Sequence, residues 1–335
     1  MNIIIPMAGM GKRMRPHTLT TAKPLIPIAG KPIVQRLVED IIATSNEKVE
    51  EIAFIIGPNF GKEVEDHLCK VAESLGAKAK ICYQHEPKGT AHAILCAEES
   101  LKGNVFIAFA DTLFKATFSI DKDKDAIVWT QKVDDPSAFG VVKLNAANEI
   151  EAFVEKPKEF VSDLAIIGVY YFKDGENLRK ELQRLIDEGI MLKGEYQITD
   201  AMDNMLKKGV KFYTDQVTEW LDCGNKDATV YTNMRILAIK AESERLVSET
   251  ARLENSVIIP PCFIGENVVI QNSVIGPFVS LEEGVHIKDS RINNSIVQAH
   301  SIVKNARIEN SLLGKSVNYN EKARDISIGD FSTHI

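Results

Sequence analysis

No stretch of this 335-residue chain runs for 18 consecutive apolar residues, so no membrane-spanning helix is expected. The opening apolar run, Ile3 to Ile5, is too short for the core of a signal peptide. Cysteine is sparse: Cys69, Cys82, Cys96, Cys223 and Cys262 lie scattered without a CxxC pair. Neither a disulfide framework nor a zinc site is expected, and a reducing, cytoplasmic compartment fits. An excess of positive charge is also missing, since the net charge is −7. Nucleic acid and membrane surfaces, which need a basic field, are therefore not expected partners. What remains is 44% hydrophobic and 26% charged, an ordinary globular composition at a length that predicts about two domains.

Residues 1–224 alternate apolar runs with amphipathic stretches. Strands are expected at 2–7, 51–57, 78–84, 105–110, 125–131 and 139–144, and helices at 32–45, 61–76 and 90–101. That alternation predicts an α/β fold: a Rossmann-like, mostly parallel mixed sheet with helices on both faces and ligands beyond the carboxyl ends of the strands. Residues 225–248 have apolar residues at helical spacing and predict one long helix, within a linker spanning 225–251.

After residue 250 the texture changes. NSVI at 255–258, NSVI at 272–275 and DSRI at 289–292 begin 17 residues apart, and NSIV at 294–297 and NSLL at 310–313 begin 16 apart. A near-fixed period with Gly and Asn at corners predicts a parallel β-helix over 252–335, ending in a short C-terminal tail. The coils resemble the left-handed β-helix of hexapeptide-repeat proteins, which takes about 18 residues per triangular coil.

The opening loop carries the chemistry. Gly9 and Gly11 follow the first strand and let backbone N–H groups approach an anion closely. Arg13 offers a bidentate fork for phosphate, and Lys23 a point charge. The loop lacks GxxxxGK[ST], so it is not a Walker A loop, and AGMGKRM lacks the third glycine of a dinucleotide fingerprint.

AGMGKRMRP (8–16), followed by Thr18, Thr20 and KPL (23–25), resembles the AGxGxRLxPxTxxxPKPL signature of sugar-1-phosphate nucleotidylyltransferases. Met14 stands for its Leu, and Ala22 for the usual Pro. Within that family the long-form glucose-1-phosphate thymidylyltransferases, with a β-helix after a linker helix, are most similar. Further segments resemble family motifs in order: QHEPKGTA (84–91), Phe109-Ala110-Asp111, FGV (139–141), VEKP (154–157), AIIGVY (165–170), EYQITD (195–200) and WLDCG (220–224).

The resemblance implies transfer of a nucleotidyl group from an NTP to a hexose 1-phosphate, with dTTP and then UTP favoured, and glucose as the sugar. It implies nucleotide binding by Ala8, Gly9, Gly11, Arg13, Lys23, Gln84, Pro87, Gly89 and Thr90. Gln84 and Gly89 would face the base, a side-chain amide being able to pair with the imide edge of uracil or thymine. Sugar-phosphate binding falls to Gly140, Glu155, Lys156, Ile166 and Tyr170. Phe139 replaces a common Tyr and removes a hydroxyl contact. Asp111 and Asp222 would be ligands of Mg²⁺, for which hard carboxylates are suited. Arg13, Lys23, Asp111, Lys156 and Asp222 form the catalytic set.

Cys223 is expected to pack, and His17, His85 and His92 to be structural or at the rim. Met7, Met10 and Met14 are expected to pack or line the loop. Alternative readings are a GDP-mannose- or UDP-sugar-forming relative, or a non-catalytic regulatory subunit. A third is a bifunctional enzyme with acyl transfer through His286 or His300. A homo-oligomer, dimer to tetramer, is expected because β-helices associate side by side.

Overall fold

The computed structural model describes residues 1–9, 11–45, 47–116 and 120–322. The chain forms two compact units: Met1–Ile26 with Lys31–Asn225, and Pro27–Gly30 with the chain from Lys226 onward.

The first unit is built on a nine-stranded mixed sheet. Strands β1 (Asn2–Pro6), β2 (Glu51–Ile56), β3 (Lys78–Tyr83) and β4 (Val105–Ala108) run parallel in the order β3-β2-β1-β4. Every residue of β1 is buried, as a continuous apolar run covered on both faces requires. Next come β5 (Thr112–Lys115), β6 (Ala126–Lys132), β7 (Gly140–Leu144), β8 (Ile150–Glu155) and β9 (Leu164–Phe172). The sheet is antiparallel around β9, which pairs with β4, β6 and β7. β10 (Phe212–Gln216) adds to β6 in parallel, while β11 (Glu219–Asp222) and β5 make a separate antiparallel ribbon.

Helix α1 (Ile33–Thr44) buries Ile33, Leu37 and Ile41 on one stripe. α2 (Lys62–Ser74) begins with Glu63 and Glu65, placed where the helix dipole favours negative charge. α3 (Thr90–Leu95) packs on β1 and α2 on β3. The Asp174 carboxylate caps α4 (Gly175–Asp187), accepting from the Asn177 N–H at 2.8 Å. α5 (Ile198–Lys207) packs on β8 and α4.

The helix expected over 90–101 stops at Leu95. Ser100 is instead tied to the sheet: its hydroxyl donates to Glu51 at 2.6 Å, and its carbonyl accepts from the Asn2 side chain at 2.9 Å.

The second unit comprises α6 (Lys226–Lys240) and a parallel β-helix. The helix expected over 225–248 ends at Lys240. Beyond it the chain joins the solenoid, with the Ser248 N–H donating to the Ile264 carbonyl and the Ile264 N–H to that of Leu246, both at 2.8 Å. Short strands stack in sheets of five, four and four. Successive coils advance by 17 residues from Arg252 to Val269 to His286, then by 16 from His286 to Ile302 to Asn318. They are thus shorter than the hexapeptide-type coil.

Columns such as Ile270–Ile287–Val303 and Ile275–Ile292–Ile308 fill the interior. Asn255, Asn272 and Asn305 take the left-handed corner, a conformation Asn tolerates better than most residues. The Asn255 amide donates to Asn272, and that of Asn272 to Asp289, each at 3.0 Å. The recurring Asn-Ser pairs are these corners: Ser256 and Ser273 each accept the N–H of the serine one coil on. Residues 323–335 of the expected tail lie outside the described residues.

Candidate active site

The end of β1 and the loop after it open a cleft of about 290 Å³. Gly11 adopts φ +55°, and a Cβ there would meet Lys23 Cβ at 2.9 Å. The Thr18 hydroxyl holds the turn by donating to the Gly11 carbonyl at 2.8 Å. Glycine at this position thus lets the loop close onto Lys23. The Lys23 ammonium meets Asp111 Oδ2 at 2.7 Å, with the lysine side chain 11% exposed and the aspartate 38%.

Asp111 leaves the end of β4, and its carbonyl accepts the Cys223 N–H at 3.0 Å. The β5–β11 ribbon, which pairs Asp222 with Thr112, therefore brings the two carboxylates to one place. A Cβ at Gly224 would lie 2.9 Å from Asp222 Oδ2 and 3.0 Å from the Arg13 guanidinium, so Arg13 and Asp222 flank this glycine. Burial raises the Asp222 carboxyl above its ordinary range; the Gly224 N–H opposes this, and the Asp111 charge adds to it. Lys23 and Arg13 pull the other way. Two acids and two cations thus meet at one partly solvent-exposed corner.

Of the residues expected at the nucleotide, Ala8, Gly9, Gly11, Lys23, Gln84, Pro87, Gly89 and Thr90 line the cleft, as does Asp111. Arg13 is not among the lining residues and stands behind them at Gly224. Gly89 has φ +107°, and a Cβ there would strike the Tyr196 carbonyl at 2.4 Å. The Thr90 hydroxyl is engaged within the protein, donating to Gln197 at 3.2 Å and accepting the Ile198 N–H at 3.0 Å. It fastens α3 to the start of α5. Met7 lines the cleft and Met14 is buried, whereas Met10 lies outside the described residues.

The sugar-side residues gather around β7, β8 and β9. A Cβ on Gly140 would lie 2.9 Å from Glu155 Oε2 and 3.4 Å from Ile166 Cδ1. Lys156 turns the chain with φ +46°; its N–H bonds the Phe139 carbonyl at 3.0 Å, and its ammonium sits 3.5 Å from Glu155. Burial, then the Glu155 charge, raises Tyr170, so its hydroxyl keeps its proton. Phe139 packs edge-on against Trp220 at 5.2 Å. Phe109 links the two groups, lining the cleft, packing on Tyr170 at 6.4 Å, and donating its N–H to the Gly168 carbonyl at 3.0 Å.

Several residues were not assigned a role from sequence. Glu195 lines the cleft, and Thr199 and Asp200 adjoin Glu155. Burial, then Glu155, raises the Asp200 carboxyl. All three belong to EYQITD, so the motif was visible while its individual contacts were not. His92, expected to be structural or at the rim, touches the Gln84 side chain at 3.0 Å. Cys223 is buried, in line with packing. His286 and His300 are exposed on the β-helix.

Residues 2–238 match the nucleotidyl transferase family. The chain is a member of that family. Among its nucleotidyl transferase relatives, a glucose-1-phosphate thymidylyltransferase of Streptomyces antibioticus is 30% identical over 95% of this chain and 93% of its own length. The bifunctional protein GlmU of Methanococcus maripaludis is also 30% identical, over 77% of this chain but only 59% of itself. A crystal structure of apo UDP-glucose pyrophosphorylase superposes with a TM-score of 0.60 at 23% identity, covering 71% of this chain and 98% of that one. Among the described residues no helix is long and apolar enough to cross a membrane.

Proposed function

We propose that this chain is a sugar-1-phosphate nucleotidylyltransferase, with dTTP and glucose 1-phosphate as the preferred pair and UTP as the next nucleotide. The observation that carries this reading is the meeting of Arg13, Lys23, Asp111 and Asp222 beside a glycine-lined cleft. Similarity to two Streptomyces glucose-1-phosphate thymidylyltransferases over 95% of the chain supports the substrate pair.

An oxygen of the sugar phosphate attacks the α-phosphorus of the NTP, and the bond to the β-phosphate oxygen breaks to release pyrophosphate. The second ionisation of a phosphate monoester lies near pH ~6, so the nucleophile is already deprotonated at neutral pH. What the site must supply is alignment and neutralisation of charge. The backbone N–H groups of Ala8, Gly9 and Gly11 cradle the triphosphate, and Lys23 and Arg13 stabilise the departing pyrophosphate. Lys156 holds the incoming sugar phosphate, while Glu155 and the Gly140 backbone take sugar hydroxyls. Ile166 and Tyr170 close the sugar pocket, with Phe109 packed edge-on against Tyr170.

Among the described residues no group of three or more His, Cys, Asp or Glu side chains forms a metal cage. Asp111 and Asp222 provide two hard oxygen donors close enough that one raises the pKa of the other. That pair fits an ion which takes its remaining ligands from phosphate and water, as Mg²⁺ does. When bound, Mg²⁺ would polarise the α-phosphate and offset the charge of both carboxylates.

The test is product formation over a grid of dTTP, UTP, GTP, CTP and ATP against glucose, mannose, galactose and N-acetylglucosamine 1-phosphates. We expect the largest rate with dTTP and glucose 1-phosphate, and a nucleotide sugar by mass spectrometry. Folded protein that makes none in any combination would rule the reading out.

A further inference from the structure

We propose that His92 is a positioning residue for the nucleobase: it fixes the Gln84 amide so that only its carbonyl oxygen faces the cleft, selecting a base edge with a ring N–H. This deepens the reading above, since it assumes that the cleft binds an NTP.

Gln84 lines the cleft just past β3 and is 8% exposed. Its Nε2 lies 3.4 Å from the Gly89 carbonyl oxygen and 3.0 Å from His92 Nδ1. A backbone carbonyl can only accept, so the amide nitrogen, not the oxygen, must face Gly89. The same nitrogen then donates to Nδ1, which must carry a lone pair, leaving the imidazole proton on Nε2. Both amide hydrogens are thereby used, and Oε1 remains as an acceptor.

The arrangement is anchored by α3. The Gly89 carbonyl accepts the Ala93 N–H at 3.1 Å in the helix's first turn, and His92 sits in that turn. The Tyr196 backbone, 2.4 Å from where a Gly89 Cβ would lie, prevents this peptide from shifting.

A lone acceptor facing the pyrimidine edge reads position N3. Thymine and uracil offer N3–H there, whereas cytosine offers a lone pair that repels the carbonyl. Guanine also carries a ring N–H, and GTP is therefore a separate arm of the test. Burial, and then the charge of Lys88, hold His92 in its neutral form, with Glu86 opposing them. Lys88 and Glu86 face it from the preceding loop, and on its own helix Cys96 donates to the His92 carbonyl. Acid that protonates Nδ1 turns this acceptor into a donor, and the amide must then turn over, presenting N–H to the base.

The experiment compares kcat/KM for dTTP, CTP and GTP in wild type, His92→Leu and His92→Asn, at pH 8 and pH 5.5. We expect His92→Leu to lower the dTTP-to-CTP ratio about tenfold, mainly through KM, because the amide is no longer held. Asparagine can supply an acceptor oxygen, and His92→Asn should restore most of the ratio. The wild-type ratio should fall on acidification, while that of His92→Asn should stay flat. An unchanged ratio in His92→Leu, or equal loss in both variants, would overturn the assignment. If His92→Leu does not fold, His92→Ala takes its place, and an unchanged dTTP-to-CTP ratio in that variant also overturns the assignment. A wild type that uses no NTP would instead refute the nucleotidylyltransferase reading itself.

Discussion

The Asp222 carboxyl is raised chiefly because it is buried, and the nearby Asp111 charge adds to the shift. A raised pKa in the fold means that the protonated form is favoured there. Its contribution to stability is present below the ordinary carboxylate range and is lost as pH rises through the raised value. At neutral pH without metal, the charged Asp222 therefore costs stability. Asp222→Asn should abolish turnover, by a factor of about 10² or more, yet raise the metal-free melting temperature. Scanning calorimetry in EDTA and a turnover assay check both halves, and a variant that stays active, or melts lower, contradicts the assignment. At this scale the charged residues were legible because each stands beside a marker: Arg13 after GxG, Lys23 before Pro, Asp222 after Trp-Leu. His92 was not legible, because its meaning depends on the orientation of an amide eight residues earlier, which no local pattern encodes.

Among elements, α4 and α5 are joined by the buried Glu181, which accepts from Lys208, Asn204 and Arg184. Burial alone would raise this carboxyl, but the three donors together hold it below its ordinary value. A depressed pKa adds stability above the unfolded value, and that stability is lost as pH falls through the folded one. Glu181→Ala should cost about 1–3 kcal/mol by urea unfolding at pH 7, with a deficit that shrinks below pH ~4. A cost independent of pH would show that packing alone is responsible. The first strands were readable because Ile3–Ile5 and Ile52–Ile56 are unbroken apolar runs. The end of α3 was not, since the turn at Glu98–Ser100 is set by Ser100 bonding to Glu51 and Asn2. The antiparallel strand β9 fits the mixed sheet that was expected, but its irregularity was not legible: its pairing slips between Ile166 and Tyr170, where Gly168 has φ +80°.

For the whole molecule, the Asn-Ser repeat revealed the solenoid, but the boundary of its unit follows contacts that sequence order hides. Residues 27–30 belong with it: the Ala29 N–H bonds Asn233 of α6 at 2.9 Å, and Phe263 leaves no room for a Cβ on Gly30. The four residues that follow the Lys23 segment are thus held by partners more than 200 positions away. The account's central claim concerns the full chain and one act of chemistry by Arg13, Lys23, Asp111 and Asp222. Its most direct test is continuous measurement of pyrophosphate from dTTP, with glucose 1-phosphate and Mg²⁺ each omitted in turn. The account expects release only when both are present. Steady release without the sugar phosphate, or an undiminished rate in EDTA, would contradict it.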